Sequence, residues 1–75
     1  MSDFISKSFG RVVRQKREAV GLSQEKLADD AGIHRTYVSS IELGKVRLGL
    51  DIAKRVAVAL KTPLHELIAE AERDC

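Results

Sequence analysis

The stretch QEKLADDAGIHRTYVSSI, residues 24–41, holds two short helical patterns separated by only three or four residues, the first of which is Gly32. The first pattern predicts a helix over about 24–31, and the second predicts a helix over about 35–43. Two short helices that cross steeply need a small residue where they touch and a glycine at the turn, because the turn backbone takes a positive φ. Ala28 and Gly32 meet these needs, and the inner faces carry the apolar residues Leu27, Ala31, Val38 and Ile41. The stretch therefore predicts two steeply crossed helices joined by a tight turn.

Three further amphipathic patterns flank this helix pair. They predict helices over about 4–20, about 50–60 and about 63–72. Thr62 is expected as the N-cap of the last helix and Pro63 as its first residue. In the first and fourth helices the side chains expected to face inward are Ile5, Phe9, Val12, Val13, Val20, Leu50, Ala53, Val56, Ala57 and Leu60. Five helices with no repeat and no linker predict one packed unit.

Composition agrees with this helical interpretation. The chain has 75 residues, of which 44% are hydrophobic, 32% charged and only 4% aromatic. That size allows one small core, and the frequent Ala, Leu, Lys, Arg and Glu favour helices over sheet. We therefore expect an all-α fold in which residues 1–75 form a single domain. So short a domain leaves no room for a second, effector-binding unit, and no small-molecule effector is expected.

Several classes of function lack the residues that they need. Cys75 is the only cysteine, so neither an intramolecular disulfide nor a cysteine-based metal site is expected. His34 and His65 have no ligand partners at metal spacing, and the sequence offers no paired carboxylates, activated nucleophile or phosphate loop. We expect no enzyme activity, no cofactor and no metal. No apolar run approaches the roughly 20 residues that span a bilayer, so we expect a cytoplasmic location and no membrane partner.

Charge is divided unevenly along the chain. Residues 1–61 hold 12 Lys and Arg against 7 Asp and Glu, a net charge of +5, whereas residues 62–75 hold 1 against 4, a net charge of −3. A basic body suits a polyanionic partner, and an acidic, apolar tail suits protein contact or solubility. Ordinary surface charge is the alternative explanation.

The outer face of the second short helix carries hydrogen-bonding groups in place of the Glu and Lys mixture of an idle solvent face. Its residues are Arg35, Thr36, Ser39 and Ser40. Short or planar hydrogen-bonding side chains on an exposed helix are suited to the edges of DNA bases. This face is therefore the candidate site for reading a nucleic-acid sequence.

Four motifs spread along the chain carry a family resemblance. They are Phe9-Gly10, Val13-Arg14-Gln15-Lys16-Arg17, Gly21-Leu22-Ser23-Gln24-Glu25 and Ile41-Glu42-Leu43-Gly44. In these motifs the chain resembles the Xre family of helix-turn-helix regulators, which includes the lambda-type phage repressors and Cro. Within the family, Arg35-Thr36-Tyr37-Val38-Ser39 is most similar to the controller proteins of restriction-modification systems. The resemblance implies a compact five-helix, lambda-repressor-like domain whose helix-turn-helix is formed by helices 2 and 3.

The resemblance also implies roles at a DNA surface. Base contacts in the major groove are implied for Arg35, Thr36, Ser39 and Ser40. Contacts to the DNA backbone are implied for Gln24, Tyr37, Lys45 and Arg47. Plainer alternatives stay open, among them a phosphate-facing Arg35, helix packing by Tyr37 and a solvated loop around Lys45. His34 stands where many relatives have Ser, Thr or Asp as the N-cap of helix 3, and this departure weakens the cap.

A structural pair is implied between Arg17 and Glu42. In the family such a pair ties helix 1 to the end of helix 3 and so orients the recognition helix. Two unconnected surface charges are the alternative. Glu25 and Asp29 on helix 2 resemble the acidic patch by which some members touch RNA polymerase, although acid on an exposed helix often serves solubility alone.

The last helix is expected to hold two copies of the chain together. The candidate interface residues are Val58, Leu64, Leu67 and Ile68, because a core under four short helices has little room for them. Dimers of the family place two recognition helices about one DNA turn, roughly 34–36 Å, apart and so read inverted repeats. Burial of helix 5 in the core is the alternative.

The leading hypothesis is therefore a homodimeric, sequence-specific regulator of transcription that binds double-stranded DNA at inverted-repeat operators and regulates its own promoter as a restriction-modification controller does. The alternative is an antitoxin or protein-interaction module, in which the apolar last helix docks a partner protein.

Overall fold

The computed structural model describes residues 4–74, except for the side chains of Phe4 and Asp74. Over that range five helices follow one another without a strand. They are α1 (Phe4–Ala19), α2 (Gln24–Ala31), α3 (Arg35–Glu42), α4 (Leu50–Ala59) and α5 (Leu64–Asp74). The predicted all-α, five-helix architecture is confirmed, and the predicted helix boundaries lie within two residues of those observed. The expectation for Cys75 falls outside the described residues.

Buried side chains from all five helices form one hydrophobic core. The largest fully buried side chains are Val12, Val13, Leu27, Val38, Val56 and Leu67. Within a helix the buried residues lie three or four positions apart, as Val38 and Ile41 or Leu67 and Ala71 do, so each helix turns one apolar stripe inward and leaves the opposite face to solvent. The inner faces predicted for α2 and α3 are observed, with Leu27, Ala31, Val38 and Ile41 all buried.

Three residues expected to face inward are exposed, and the prediction for them is wrong. Leu50, the first residue of α4, keeps 78% of its surface exposed. Val20 is exposed because it follows the end of α1, in a turn that leaves the helical stripe. Ile5 lies in the first turn of α1, where it borders a surface groove rather than the core.

The turn between α2 and α3 has the geometry that its glycine predicts. Gly32 adopts φ 72°, and the backbone N–H of Ile33 donates to the carbonyl of Ala28 over 3.0 Å. This left-handed cap ends α2 and directs the chain into α3. At the other end of α2, the Ser23 hydroxyl accepts from the backbone N–H of Lys26. His34 precedes α3 without a side-chain cap bond.

Gly10 sets how closely α1 approaches α3. A Cβ atom at this position would overlap the carbonyl oxygens of Ile41 and Glu42, at the end of α3. Only glycine permits this contact, so the end of α3 lies directly against the backbone of α1.

The start of α5 differs from the prediction. The helix begins at Leu64, and the carbonyl of Pro63, rather than of Thr62, accepts the first helical bond, from the backbone N–H of Glu66 over 3.0 Å. The Thr62 hydroxyl donates to the carbonyl of Leu60 and does not cap the helix. The expected N-cap at Thr62 is therefore wrong by one residue, because its side chain turns back to the end of α4.

Leu67 is wrong as a dimer-interface residue. Its side chain is 0% exposed and belongs to the core. It is buried because α5 lies along α1, where the ion pair from Lys16 Nζ to Glu70 Oε2, 2.9 Å long, fixes the two helices together. A residue with no accessible surface in one protomer has none to offer a second.

Candidate nucleic-acid interface

The outer side of α3 presents the predicted base-reading residues. Arg35 and Thr36, in the first turn, are exposed, while Ser39 and Ser40, one turn later, are half-buried. Their placement follows from the burial of Val38 and Ile41, which fixes the rotation of the helix and leaves the other side to solvent. The first turn of α3 is thus the most accessible part of this surface.

Tyr37 has the packing role that was considered for it. It is half-buried and packs against the hydrophobic core, as the packing alternative required. Contact between its hydroxyl and DNA stays a prediction.

The loop after α3 is held by apolar anchors and presents cations. Val46 and Leu48 pack against the core. Lys45, just before Val46, and Arg47, between the two apolar residues, are exposed. Gly44 starts the loop with φ 73°, and the backbone N–H of Lys45 donates to the carbonyl of Ser40 over 2.9 Å. An anchored loop keeps its cations near the end of α3, as a clamp on a phosphate backbone needs.

Lys7 is a further cation at this edge that the sequence analysis did not single out. A Cβ atom on Gly44 would lie 2.7 Å from Cγ and 2.8 Å from Cα of Lys7, so α1 and the loop are in close contact. Lys7 is exposed. Its position three residues before Gly10 could have indicated this placement, because residues three apart lie on the same side of a helix and Gly10 packs against the end of α3.

Arg17 and Glu42 form the ion pair that the resemblance implied. Arg17 Nε donates to Glu42 Oε2 over 2.6 Å, and Arg17 Nη2 donates to Glu42 Oε1 over 3.2 Å. The side chains are only 11% and 4% exposed. Arg17 Nη1 also donates to the carbonyl of Leu22 over 2.7 Å. The hydrogen bond to Glu42 raises the pKa of the Arg17 guanidinium above its ordinary value, against an opposing effect of burial.

Gln24 joins this pair into a network of three side chains. Its Nε2 donates to Glu42 Oε1 over 2.9 Å, a bond that spacing along the sequence does not reveal. The first residue of α2 is thereby tied to the last residue of α3. This bond uses one of the two amide N–H groups of Gln24 and leaves the other as a donor, and the contact of Gln24 with a phosphate stays a prediction.

Glu25 and Asp29 lie exposed on α2, one turn apart. Lys26, between them, pairs instead with Asp30, from Nζ to Oδ1 over 3.2 Å. The acidic pair therefore forms a small patch on α2, the first helix of the helix-turn-helix.

The remaining candidate interface residues lie on a different part of the molecule. Val58 is 62% exposed on α4, and Leu64 and Ile68 are half-buried on α5.

Over residues 4–74, no three His, Cys, Asp or Glu side chains come together as a metal site. Across the same residues, each helix is either too short or too polar to cross a membrane.

Comparison with known proteins gives this arrangement a family. Residues 13–67 match the helix-turn-helix family model, and this range covers α2, α3 and α4 together with the last seven residues of α1 and the first four of α5. The chain belongs to the Xre-type helix-turn-helix family. Members of this family are DNA-binding regulators of transcription.

Among the relatives of this Xre-type chain are control proteins of restriction-modification systems. The control protein C.BamHI of Bacillus amyloliquefaciens is 39% identical over 69 residues, covering 91% of this chain and 85% of the relative. C.MunI of a Mycoplasma species is 31% identical and covers 99% of this chain and all of the relative. The crystal structure of the controller protein C.AhdI from Aeromonas hydrophila superimposes with a TM-score of 0.80 at 39% identity, over 81% of this chain and 92% of that one.

Proposed function

We propose that this chain is a homodimeric, sequence-specific regulator of transcription of the restriction-modification controller kind, acting on inverted-repeat operators in double-stranded DNA. The observation that carries the proposal is the pairing of an exposed α3 face, led by Arg35 and Thr36, with a buried network that fixes α3 to α1 and α2. A helix that reads bases must be held rigidly, because small errors in its position misalign its hydrogen bonds. The similarity to control proteins over nearly the whole chain supports the same conclusion.

In this proposal different residues supply specificity and affinity. Arg35 donates a bidentate pair of hydrogen bonds to a guanine, and Thr36, Ser39 and Ser40 contact neighbouring bases. Gln24, Tyr37, Lys45 and Arg47 contact phosphates, whose neutralisation contributes affinity without sequence preference. Lys7 is added to this second group because it lies beside the loop that carries Lys45.

Two protomers are joined through the exposed side of α5, where Leu64 and Ile68 are half-buried. The two-fold axis of such a dimer is matched by an inverted repeat in the DNA. In this proposal the protein regulates its own promoter, because the concentration of the dimer sets how far it occupies the operator sites cooperatively.

We also propose that Glu25 and Asp29 form a contact for RNA polymerase. Both side chains are exposed on α2, one turn apart, and are therefore accessible to a protein partner. A variant with both residues changed to alanine keeps operator affinity and loses transcriptional activation in a reconstituted assay.

Selection of bound duplexes from a random DNA pool at about physiological salt tests the function, because nonspecific charge attraction weakens there while base readout persists. We expect enrichment of an inverted repeat. Arg35→Ala then removes the preference for that sequence, whereas Lys45→Ala weakens specific and random duplexes together and lowers the salt slope by about one.

Two results would contradict the proposal. Equal losses on specific and random duplexes for Arg35→Ala would remove its assignment as a base reader. If no motif were enriched and all binding disappeared with salt, the chain would not be a sequence reader, and a search for a protein partner would follow.

A further inference from the structure

Leu50 is the most exposed large apolar residue of the described chain, with 78% of its surface accessible at the start of α4. It stands at the edge of a groove of about 120 Å³ whose floor is the core residue Phe9. Ile5 and Ile68 line the same groove from α1 and α5. A large apolar side chain beside an apolar groove is costly to leave in water, so this surface has the properties of a contact site.

The groove is continuous with the side of α5 through which the proposed dimer forms. Ile68 lines it and also lines a second, shallower depression with Leu64, Ala69 and Glu72. The apolar surface thus extends from Leu50 across Ile68 to Leu64. Val58, the other exposed apolar residue of α4, lines neither depression.

Unpaired charges of opposite sign flank this surface. Lys54 lies one helical turn after Leu50, and Glu72 lies one turn after Ile68, and both are exposed. Among the described residues neither takes part in an ion pair. Glu70, by contrast, is already paired with Lys16.

The course of the helices places these charges on opposite sides of the apolar contact. Leu64 comes shortly after the end of α4, whereas Ile68 meets Leu50 and Ala53 near the start of α4. Helix α5 therefore runs back towards the start of α4. Lys54 lies about 6 Å from Leu50 towards the α4–α5 turn, and Glu72 lies about 6 Å beyond Ile68 in the other direction.

We propose that Leu50 and Ile68 form the centre of the homodimer interface, and that Lys54 of each protomer pairs with Glu72 of the partner subunit. A two-fold rotation about an axis between Leu50 and Ile68 exchanges the two sides of the contact, so it carries Glu72 of the partner subunit to the side of Lys54. The surface is thus complementary to itself both in apolar area and in charge, and a second copy of this chain is the partner that fits it. This inference rests on the proposed homodimer and specifies how its two protomers meet.

The first test compares Leu50→Ser with Val58→Ser by sedimentation equilibrium of the full chain. Both residues are largely exposed in one protomer, so both variants keep the fold, which helical circular dichroism checks. Because Leu50→Ser removes an apolar side chain from the centre of the interface in each of the two protomers, the dissociation constant of the dimer rises by roughly a hundredfold. Val58→Ser, the matched control, changes it by less than about threefold.

The second test reverses the charges and does not alter the apolar surface. Lys54→Glu and Glu72→Lys each set like charges against one another at two places, and each homodimer weakens by about tenfold. An equimolar mixture of the two variants forms heterodimers in which both pairs are attractive again, with an affinity within about threefold of the unaltered homodimer. The same mixture loses this advantage at 1 M salt, where charges are screened over about 3 Å.

Three results of these tests would contradict the proposed interface. Dissociation by Val58→Ser with no effect of Leu50→Ser would overturn this interface and leave the homodimer standing. A mixture of charge variants that associates no better than either alone would overturn the Lys54–Glu72 pairing. A monomeric unaltered chain at all concentrations would overturn both the interface and the homodimer, while its selection of a DNA sequence would still be judged by the duplex experiment.

Discussion

Removal of the Glu42 carboxylate is the perturbation that most directly probes how α3 is held. In Glu42→Ala, Arg17 loses two hydrogen bonds and Gln24 loses one. Removing one member of a buried ion pair costs about 3–5 kcal/mol, because the other charge is left without compensation. Arg17 is still 11% exposed, and Glu18 lies 3.9 Å from its Nη2, so part of the lost attraction is replaced. We therefore expect a loss of about 2–3 kcal/mol in the free energy of unfolding.

Urea and thermal unfolding measure this loss. For a domain of this size, a change of 1 kcal/mol shifts Tm by about 4–8 °C, so a loss of about 2–3 kcal/mol should lower Tm by about 8–24 °C. Because the folded-state pKa of Arg17 is raised, its contribution is complete at every pH below its ordinary pKa and would be lost only as pH rises through the raised value. Measurements between pH 6 and pH 9 should therefore give the same contribution from the Arg17 charge.

A matched control and a double-mutant cycle isolate the network. Asp30→Ala removes a more exposed carboxylate that pairs with Lys26, outside this network, and should cost less than about 1 kcal/mol. The double variant Arg17→Met with Glu42→Met should be more stable than the sum of the two single losses predicts, by at least about 1 kcal/mol. A loss below about 1 kcal/mol for Glu42→Ala, with additive effects in the cycle, would refute the reasoning.

Two backbone positions give further predictions. Gly10→Ala should destabilise the fold by about 2 kcal/mol or more in urea unfolding, since the new Cβ meets the carbonyls of Ile41 and Glu42, whereas Gly49→Ala, which meets nothing within 4 Å, should cost under about 1 kcal/mol. Similar losses for both would contradict the close contact of α1 with α3. Lys61 adopts φ 57°, a left-handed conformation that side chains disfavour, so Lys61→Gly should raise the free energy of unfolding by about 1 kcal/mol. A lower Tm for Lys61→Gly would show that the lysine side chain stabilises this turn by a contact of its own.

Helix positions and the turn between α2 and α3 could be predicted because their causes are local. The three- and four-residue spacing of Leu27, Ala31, Val38 and Ile41 specifies an inner face, and Gly32 supplies the only conformation that closes so short a connection. Local patterns also placed Arg35 and Thr36 on the outside, since the inner face excludes them.

The errors fell where the environment of a residue depends on another helix. Leu67 and Leu50 both belong to apolar stripes, yet one is fully buried and the other largely exposed. The spacing within α5 is the same whether α1 or a second protomer covers it, so the stripe alone did not decide between them. Thr62 was misassigned for a related reason, because its hydroxyl had two possible local acceptors and took the carbonyl at the end of α4.

Local sequence patterns specify five helices, their inner faces, the glycine turn and the chemical character of the outer face of α3, because each depends on residues within a few positions of one another. Helix packing, by contrast, brings Gln24 into the predicted pair of Arg17 and Glu42, places Lys7 beside the loop after α3 and leaves Leu50 exposed beside Ile68. These contacts join residues that are distant along the chain. They depend on how closely and at what angle the helices pack, which the repeat of a single helix does not specify.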